Sequence, residues 1–528
     1  MKKWFVIIIL AISQFVMILD STVMNVSISN VAKDLGTTIS GMQAAITFYA
    51  LTMAAFMLTG GKLGDKWGRL TAFRIGSVVY GIGSLTTALS PSLGVLLFGW
   101  SFVEGLGAIL VIPAIAALAA VNYKGKDRVI AFSILGAATG IAAAVGPLIG
   151  GLVTTYFSWR YVFAAETLVM LVVLFVANKI RDEKVPGKVS IDILSSVLSA
   201  LGLSLLVFGV LQSKTWGWIH PLDPPVINGK VIAPFGISPV AYLILAGICV
   251  LWWFAIRQQK LESTGRNPLL KISLLSIPAL RSGLSSLLSQ YFTIAALFFV
   301  IPVYLQIILG YDALKTGIKL VPLSIGLVLF SALGSKLSTV RSAKNIGRWG
   351  QLFIAIGALF VLSSIDPELK SIFFAVGMFV VGAGFGLLAS QLGNVNMSSV
   401  SKNDTSEVGG LQGTFQNLGS AFGTAIAGSV FILMLTSGFT SAIQNNTSLS
   451  TSTKNKITST SQNGVQIVSK SEAEQLVIQN GGSQSTADTV ANVYQNSQLE
   501  ALRDSMFVVF AFSIMALFLS RNLPSKVK

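Results

Sequence analysis

The chain of 528 residues contains one cysteine, Cys249, and one histidine, His220. A single cysteine cannot form a disulfide within the chain, and a lone histidine lacks the co-ligands of a metal site. The sequence has no Walker A motif, no Gly-x-Ser-x-Gly motif and no His-Glu-x-x-His motif. It therefore lacks the signatures of ATP-driven pumps and common hydrolases. We expect no enzyme activity, no metal ion and no cofactor.

Charge is also scarce, because only 11% of the residues are charged while 53% are hydrophobic and the mean hydropathy is +0.74. Such a composition predicts an integral membrane protein, and a membrane-crossing helix needs about 20 apolar residues. By that measure the sequence holds about fourteen candidate spans. They are centred near Phe15, Thr52, Gly81, Leu106, Gly140, Val169, Leu201, Ala246, Leu297, Leu327, Ile356, Phe379, Gly423 and Phe512.

Clusters of Lys and Arg recur after every second span. They occupy Lys62–Arg74, Lys124–Arg128, Lys179–Lys188, Arg257–Lys271, Lys336–Arg348 and the tail Arg521–Lys528. The positive-inside rule then predicts a multi-pass protein of the cell membrane with both termini in the cytoplasm. The net charge of +16 is explained by this topology, so we expect no nucleic-acid partner. The start Met1–Lys3 is not followed by a cleavage site, which predicts an uncleaved first span.

The spans divide into two halves of six with two helices between them. We expect an N-terminal bundle over 1–190, a linker of two membrane helices over 191–265, and a C-terminal bundle over 266–436 and 505–521. The stretch 437–504 is rich in Ser, Thr, Asn and Gln without proline and is expected outside the cell, and 522–528 form a cytoplasmic tail. Within this stretch, the alternation at Gly464–Val468 and the run Ser471–Gln479 are compatible with a small hairpin or helix, and disorder is the alternative.

A short basic segment, Gly60-Gly61-Lys62-Leu63-Gly64-Asp65-Lys66-Trp67-Gly68-Arg69-Leu70, follows the second span. Its glycines, Gly64 and Gly68 among them, allow a tight turn and a close approach of helix ends. The segment resembles the loop that joins helices 2 and 3 in the major facilitator superfamily of transporters. A second, degenerate copy without the carboxylate occurs at Gly334–Arg341.

Further motifs narrow the resemblance to the fourteen-helix drug:proton antiporter family of that superfamily. They are Leu19–Val26 in helix 1, Gly136, Gly140, Gly146, Pro147, Gly150 and Gly151 in helix 5, and Pro302–Gln306, Gly382–Gly386 and Gly409–Gly419 in the second half. The resemblance implies an all-α membrane fold with two six-helix bundles and two extra central helices. It also implies a monomer that exports lipophilic compounds in exchange for protons. For the helix 5 glycines, plain helix packing without a gating role is the alternative.

Three carboxylates, Asp20, Glu104 and Glu166, fall within predicted spans of the N-terminal half. Ionisable groups in a membrane are costly and usually face a cavity or a partner. Desolvation favours the neutral acid and an arriving cation favours the charged one, so competition between proton and cation would give antiport. Trp100 lies four residues before Glu104 and so on the same helix face, where it could bind a lipophilic cation or simply pack. Asn25 belongs to the same helix 1 motif as Asp20.

The chain departs from the family pattern in helix 4, where Ser101 stands in place of an Arg and Glu104 in place of a Gln. Glu166 also stands where the family often has Asn. Either Glu104 has taken over the titrating role or the coupling ion is not a proton. A neutral Glu104, hydrogen-bonded between helices, is the structural alternative.

The basic segment also suggests a latch. Asp65, facing a helix N-terminus of the other half with Arg69 and Arg74 nearby, would stabilise one conformational state. A purely topological role of the loop is the alternative.

The sequence therefore favours a proton-coupled exporter of lipophilic, cationic compounds. A specific exporter of an endogenous metabolite or lipid and a non-transporting membrane sensor remain as alternatives. Aromatic candidates for the substrate pocket are Phe15, Tyr49, Tyr291, Tyr304 and Phe415.

Overall fold

The computed structural model describes residues 4–123, 125–177, 180, 191–227, 230–369, 371–400, 404–461, 465–523 and 525. Within these residues the chain forms α1 (Phe5–Val26), α2 (Ile28–Asp34), α3 (Ile39–Trp67), α4 (Arg69–Ala88), α5 (Leu93–Leu96), α6 (Gly105–Asn122), α7 (Gly125–Tyr156), α8 (Arg160–Ala177) and α9 (Ile193–Trp216). The second part forms α10 (Pro239–Ser263), α11 (Pro278–Val303), α12 (Ala313–Leu337), α13 (Ala343–Ser363), α14 (Phe373–Ser398), α15 (Thr405–Asn445), α16 (Thr451–Ser461), α17 (Lys470–Gln479) and α18 (Gln484–Leu519).

Shorter elements complete the described chain. Two π-helical segments cover Leu97–Glu104 and Tyr304–Ile308, and 3₁₀ turns cover Pro234–Gly236, Ile272–Ser276 and Ser520–Asn522. One antiparallel pair of two-residue strands, β1 (Val226–Ile227) and β2 (Lys230–Val231), lies between α9 and α10.

Thirteen helical segments in the described residues are long and apolar enough to cross a membrane. The 20-residue helix α4 is not one of them, since two arginines and several Gly, Ser and Thr residues lower its hydropathy. It nevertheless packs along α6 and α8 and accounts for the predicted span near Gly81. With α4 included, all fourteen predicted centres fall in helices, and the predicted all-α membrane fold is confirmed.

Two bundles form the protein. In the first, α1 packs on α7, and α4 packs on both α6 and α8; in the second, α14 packs on α12 and α13, and α15 packs on α11 and α18. The bundles meet along two seams, α3 with α15 and α7 with α12. We call the end that carries Lys62–Arg69, Arg257–Lys271 and Lys336–Arg348 the basic end, and the end that carries 437–504 the loop end.

The two extra helices lie on one of these seams. Helix α9 packs on α10, α3 and α15, and it is tied to both bundles through one amide. Lys214 Nζ donates to Gln43 Oε1 (2.9 Å), while Gln43 Nε2 donates to the Thr424 carbonyl in the other bundle (3.0 Å). At the basic end Arg257 Nε lies 2.6 Å from Asp192 Oδ2, and this hydrogen-bonded guanidinium lowers the pKa of Asp192 to about 2. The extra helices therefore brace the α3–α15 seam.

The polar stretch 437–504 is largely helical where the structure describes it. Helix α15 continues to Asn445, α18 begins at Gln484, and α16 and α17 lie between them. Ser469 and Glu472 form a capping box at the start of α17. The Tyr494 hydroxyl donates to the Gln466 carbonyl (2.6 Å) and accepts from Val468 N (3.1 Å). The hairpin predicted around Gly464 includes residues outside the described ones, and the predicted helix over Ser471–Gln479 lies in α17.

The basic segment is not the multi-residue turn that the sequence suggested. Helix α3 continues through Trp67, and α4 begins at Arg69. Only Gly68 separates them, with φ of 95°, a conformation that glycine adopts easily. Gly60 instead lies in the helix, where a Cβ would meet the Ile109 carbonyl at 2.2 Å. Gly60 therefore serves helix packing, whereas Gly61 and Gly64 have no close neighbour that requires glycine, and the change of direction needs only Gly68.

Glycines bring α4 against the helix that carries Glu104. A Cβ on Gly83 would lie 2.5 Å from the Glu104 backbone nitrogen, and one on Gly107 would lie 2.4 Å from that of Tyr80. These distances are far below van der Waals contact, so the backbones touch directly. The position of Glu104 therefore depends on Gly83.

We expect Gly83→Ala to lower the free energy of unfolding by about 1–3 kcal/mol, because the added methyl group overpacks a backbone contact. Gly81→Ala is the matched control, since it lies on the same helix and its Cβ would meet only ordinary contacts at 3.7 Å. The control should be neutral or stabilising through helix propensity. Thermal unfolding of both purified variants in detergent tests this, and equal effects would contradict the packing argument.

Candidate functional site

The structure brings the three predicted membrane carboxylates together. Asp20 comes from α1, Glu104 from the end of the π-helical segment and Glu166 from α8. One carboxylate oxygen from each lies within 4.8 Å of the others. The three side chains are buried, with exposures of 0%, 0% and 2%. We call this set the carboxylate cluster.

Trp100 holds one member of the cluster in place. Its indole Nε1 donates to Asp20 Oδ1 (2.8 Å), and its ring stacks on Tyr49 with centroids 4.7 Å apart and an interplanar angle of 5°. Trp100 and Glu104 both lie in the π-helical segment Leu97–Glu104, a wider turn than an α-helix that often occurs at functional sites. In this conformation Trp100 is buried and orients Asp20, and it offers no open ring face to a ligand.

The other carboxylates differ in their hydrogen bonding. Ser84 Oγ lies 3.1 Å from Glu166 Oε2 and 3.0 Å from the Phe163 carbonyl, so its proton is shared between them. Both oxygens of Glu104 are buried without a partner, as are Asp20 Oδ2, Glu166 Oε1 and the Tyr80 hydroxyl. Glu104 is thus the member whose oxygens accept no hydrogen bond, and its neighbouring donor is the Tyr80 hydroxyl.

No basic side chain forms an ion pair with the cluster in the part of the chain that the structure describes. Two unit charges about 4 Å apart repel by about 4 kcal/mol at an effective dielectric constant of 20. Three ionised carboxylates would therefore be strongly unfavourable in this apolar bundle. The cluster must carry protons or take up a cation, and this property follows from the geometry alone.

Ser101, at the position where an arginine was expected from the family pattern, does not touch the cluster's acids. Its Oγ donates to the Ala45 carbonyl (2.8 Å) and ties the π-helical segment to α3. Asn25, a further predicted site residue, donates from its Nδ2 to the Ser21 carbonyl (2.6 Å) one turn earlier on α1.

Helix α7 links α1 to the second bundle. A Cβ on Gly146 would meet Thr22, and one on Gly150 would meet Val23, both just beyond Asp20 on α1. On the other face Gly151 approaches the Ala313 carbonyl.

The same face of α7 makes a second close contact with α12. A Cβ on Gly317 would lie 2.3 Å from the Pro147 carbonyl. Gly136 and Gly140, nearer the basic end, have no such neighbour within 4 Å. Four of the six predicted helix 5 residues therefore form tight contacts at the loop end, two toward α1 and two toward α12.

The residues predicted as a latch lie in the first bundle. Asp65 is in the last turn of α3, Arg69 begins α4, and Arg74 Nη2 donates to the Ala177 carbonyl (3.4 Å). Among the described residues, an ion pair joins the two bundles at this end: Lys62 Nζ lies 2.9 Å from Glu407 Oε1, with side chains 15% and 11% exposed. Gly64 lies in α3, and Gly68 forms the turn between α3 and α4.

A second lysine reinforces this contact. Lys271 Nζ lies 2.6 Å from Asp404 Oδ1 and 3.9 Å from Glu407 Oε1. Together with Lys62 and Glu407 they form a charged junction at the basic end.

Sequence reasoning missed several of these residues. Ser84 and Tyr80 on α4 and Glu407 on α15 were not among the predicted site residues. Of the aromatic pocket candidates, Tyr49 stacks on Trp100 and the Tyr304 hydroxyl donates to the Asp366 carbonyl (2.7 Å). The sequence feature that could have identified Glu407 was its negative charge near the start of a predicted span, at the end where Lys and Arg cluster.

A profile of the Major Facilitator Superfamily matches residues 10–219 and 225–424. A probable actinorhodin transporter of Streptomyces coelicolor is 26% identical over 455 residues, which are 85% of this chain and 75% of that protein. The puromycin resistance protein pur8 of Streptomyces alboniger is 25% identical over 433 residues, 81% of this chain and 82% of its own.

Solved structures show the same fold. A bacterial homolog of the human lysosomal transporter Spinster, in an inward-facing and unoccupied conformation, superposes with a TM-score of 0.58 at 15% identity. The match covers 99% of this chain and 97% of that chain.

We expect Glu407→Ala to destabilise the protein more than Lys62→Ala. The first change leaves Lys62 without its carboxylate in a partly buried site, whereas the second leaves Glu407 beside Lys271. A double-mutant cycle on thermal unfolding measures the coupling between Lys62 and Glu407. Strictly additive effects would show that the ion pair contributes nothing between the bundles.

Proposed function

The chain belongs to the major facilitator superfamily, whose members are transport proteins rather than enzymes, and we propose that it exports lipophilic cations in exchange for protons. The observation that carries the proposal is the carboxylate cluster, three buried acids without a basic partner among the described residues. The relatives named for actinorhodin transport and puromycin resistance support small-molecule export, antibiotics included.

The proposed coupling is competition for the cluster. When the site is dry, desolvation and mutual repulsion favour protonated acids. Donors from Trp100 and Ser84 favour the charged forms of Asp20 and Glu166. Glu104, which has no such donor, is then the member that keeps and exchanges a proton. A bound organic cation stabilises the charged cluster, and protonation from outside expels it.

The proposed path from this charge to alternating access runs through α7. Thr22 and Val23 follow Asp20 on α1 and contact Gly146 and Gly150, and the other face of α7 contacts α12. A change in charge at Asp20 therefore acts on a helix that touches both bundles. The charged junction at Lys62 and Glu407 then biases the basic end.

The basic end faces the cytoplasm in this proposal, so that both termini are cytoplasmic and the helical stretch 437–504 lies outside the cell membrane. Each monomer contains both bundles and is a complete transport unit. In this proposal protons are the coupling ion, because desolvation and mutual repulsion favour protonated acids whenever no cation is bound at the cluster.

A second candidate is a specific exporter of an endogenous product. It is favoured by relatives named for single compounds, such as the cephamycin export protein CmcT of Amycolatopsis lactamdurans and the riboflavin transporter RibZ of Clostridioides difficile. A narrow substrate profile would favour it over multidrug export. A non-transporting sensor would show no flux that depends on Asp20 or Glu104.

We expect Asp20→Asn and Glu104→Gln to abolish efflux of a fluorescent lipophilic cation driven by an imposed pH gradient. The measurement uses purified protein in proteoliposomes. Removing either acid leaves the cluster with fewer exchangeable protons, so the gradient no longer drives transport. Ser13→Ala is a matched control on the same helix, since the Ser13 hydroxyl donates to the Ile9 carbonyl of its own helix and lies outside the Leu19–Val26 motif.

Variants as active as the wild type, or wild-type efflux that does not respond to the pH gradient, would contradict proton coupling at the cluster. Gradient-independent export of one compound only would favour the specific exporter.

We expect Asp65→Asn to lower the turnover rate more than the affinity for substrate, because Asp65 lies at the basic end and far along α3 from the cluster. Initial efflux rates at several substrate concentrations separate the two parameters. A loss of affinity with unchanged turnover would exclude the latch role of this segment.

A further inference from the structure

A groove opens on the side of the first bundle. It lies between α7 and α8 with α1 at its back, and its volume is about 540 Å³. Leu19, Val153 and Phe15 belong to its apolar lining. Helices α7 and α8 are consecutive and are joined by a turn of three residues, but along their length each packs on other helices more than on its neighbour. This divergence leaves the groove open.

The groove faces the surface that the lipid would cover. Phe157 and Tyr161 at its rim are 71% and 63% exposed. Tyr161 has a polar tip, as is typical of aromatic side chains at the membrane interface, while Phe157 offers an apolar ring to the lipid. The groove is therefore reached from the bilayer at the loop end rather than from the seams between the bundles.

One charged residue lines this groove, and it belongs to the carboxylate cluster. Glu166 contributes to the groove wall, yet its side chain is nearly fully buried and its Oε1 has no hydrogen-bond partner. Its other oxygen faces Ser84 on α4. Glu166 thus separates an apolar, lipid-facing groove from the buried acids Asp20 and Glu104.

We propose that this groove is a substrate site, which holds the apolar body of a lipophilic cation while the cation's charge lies against Glu166 and the cluster. The proposal rests on the proposed function and adds the place and the route of binding. The volume of the groove falls in the range of about 300–1,000 Å³ that is common for small-molecule sites.

The negative charge of the carboxylate cluster favours a lipophilic cation over other ligands. The carboxylate oxygens of Glu166 lie behind the apolar wall of the groove, close to Asp20 and Glu104, so a ligand in the groove meets the negative charge of the cluster across that wall. A neutral ligand or a lipid tail would fill the groove but would gain nothing from this charge. An anion would be repelled by all three acids. A cation with aromatic or aliphatic substituents satisfies both the apolar wall and the acid, and Phe157 and Tyr161 add ring faces for it.

The route of binding follows from the same geometry. A substrate that partitions into the bilayer reaches the cluster sideways, between α7 and α8, without entering the passage between the bundles. Since α7 also contacts α12, occupation of the groove acts on the helix that joins the two bundles.

Binding of tetraphenylphosphonium to the purified full-length protein tests the site. Ala165 lines the groove and is exposed, so Ala165→Trp fills it without disturbing buried packing. Leu168→Trp is the matched control, because Leu168 is exposed on the same helix but does not line the groove. We expect the first variant to raise the dissociation constant by about tenfold or more, and the control to bind as the wild type does.

A second measurement does not depend on an added bulky side chain. In a Cys249→Ala background, which removes the natural exposed thiol, Ala165→Cys places a thiol in the groove and Leu168→Cys places one outside it. Tetraphenylphosphonium should slow maleimide labelling of the first thiol and leave the second unchanged. Protection of neither thiol, or of both equally, would overturn the groove site.

The two proposals fail differently. If Ala165→Trp binds and transports tetraphenylphosphonium normally while Glu104→Gln does not transport it, the groove is wrong and cation export by the cluster stands. If the wild type neither binds nor exports this cation, both proposals are wrong.

Discussion

The burial of three acids in one apolar bundle is the constraint on which the rest of this structure depends. Asp20, Glu104 and Glu166 come from three different helices, and no basic side chain among the described residues neutralises them. Their repulsion and desolvation would unfold or rearrange the bundle if all three were charged. The folded state is therefore linked to bound protons or to a bound cation. In the proposed mechanism, a coupled transporter requires such a site, where the binding of protons or of a cation is linked to the conformation of the protein.

Close helix contacts connect the carboxylate cluster to helices of both bundles. Gly83 lets α4 touch the backbone at Glu104, while Gly146 and Gly150 let α7 touch α1 just beyond Asp20. The opposite face of α7 meets α12 through equally short backbone distances. Packing of this kind transmits displacements because there is no side chain between the helices to absorb them. The extra helix α9 braces the other seam through the Gln43 network.

Much of the fold was predictable because membrane spans obey one simple rule of length and hydropathy, and the fourteen centres all fall in helices. The three acids were identifiable because charges are rare in apolar helices. Their adjacency was not, since it depends on how α1, the π-helical segment Leu97–Glu104 and α8 pack together. The π-helical segment before Glu104 has no sequence signature, and the helices of the polar stretch are held partly by tertiary contacts such as that of Tyr494. The basic segment was wrongly expected to be a longer turn, because most of it continues helix α3 and only Gly68 forms the turn.

Proton release on substrate binding tests the central claim most directly. Purified protein in weakly buffered detergent solution at neutral pH is mixed with tetraphenylphosphonium, and the pH is followed with a soluble dye. Competition at the cluster predicts acidification that saturates with binding and is lost in Glu104→Gln. Binding of the cation with no release of protons would contradict the account, because the cluster would then accept the cation without exchanging its protons.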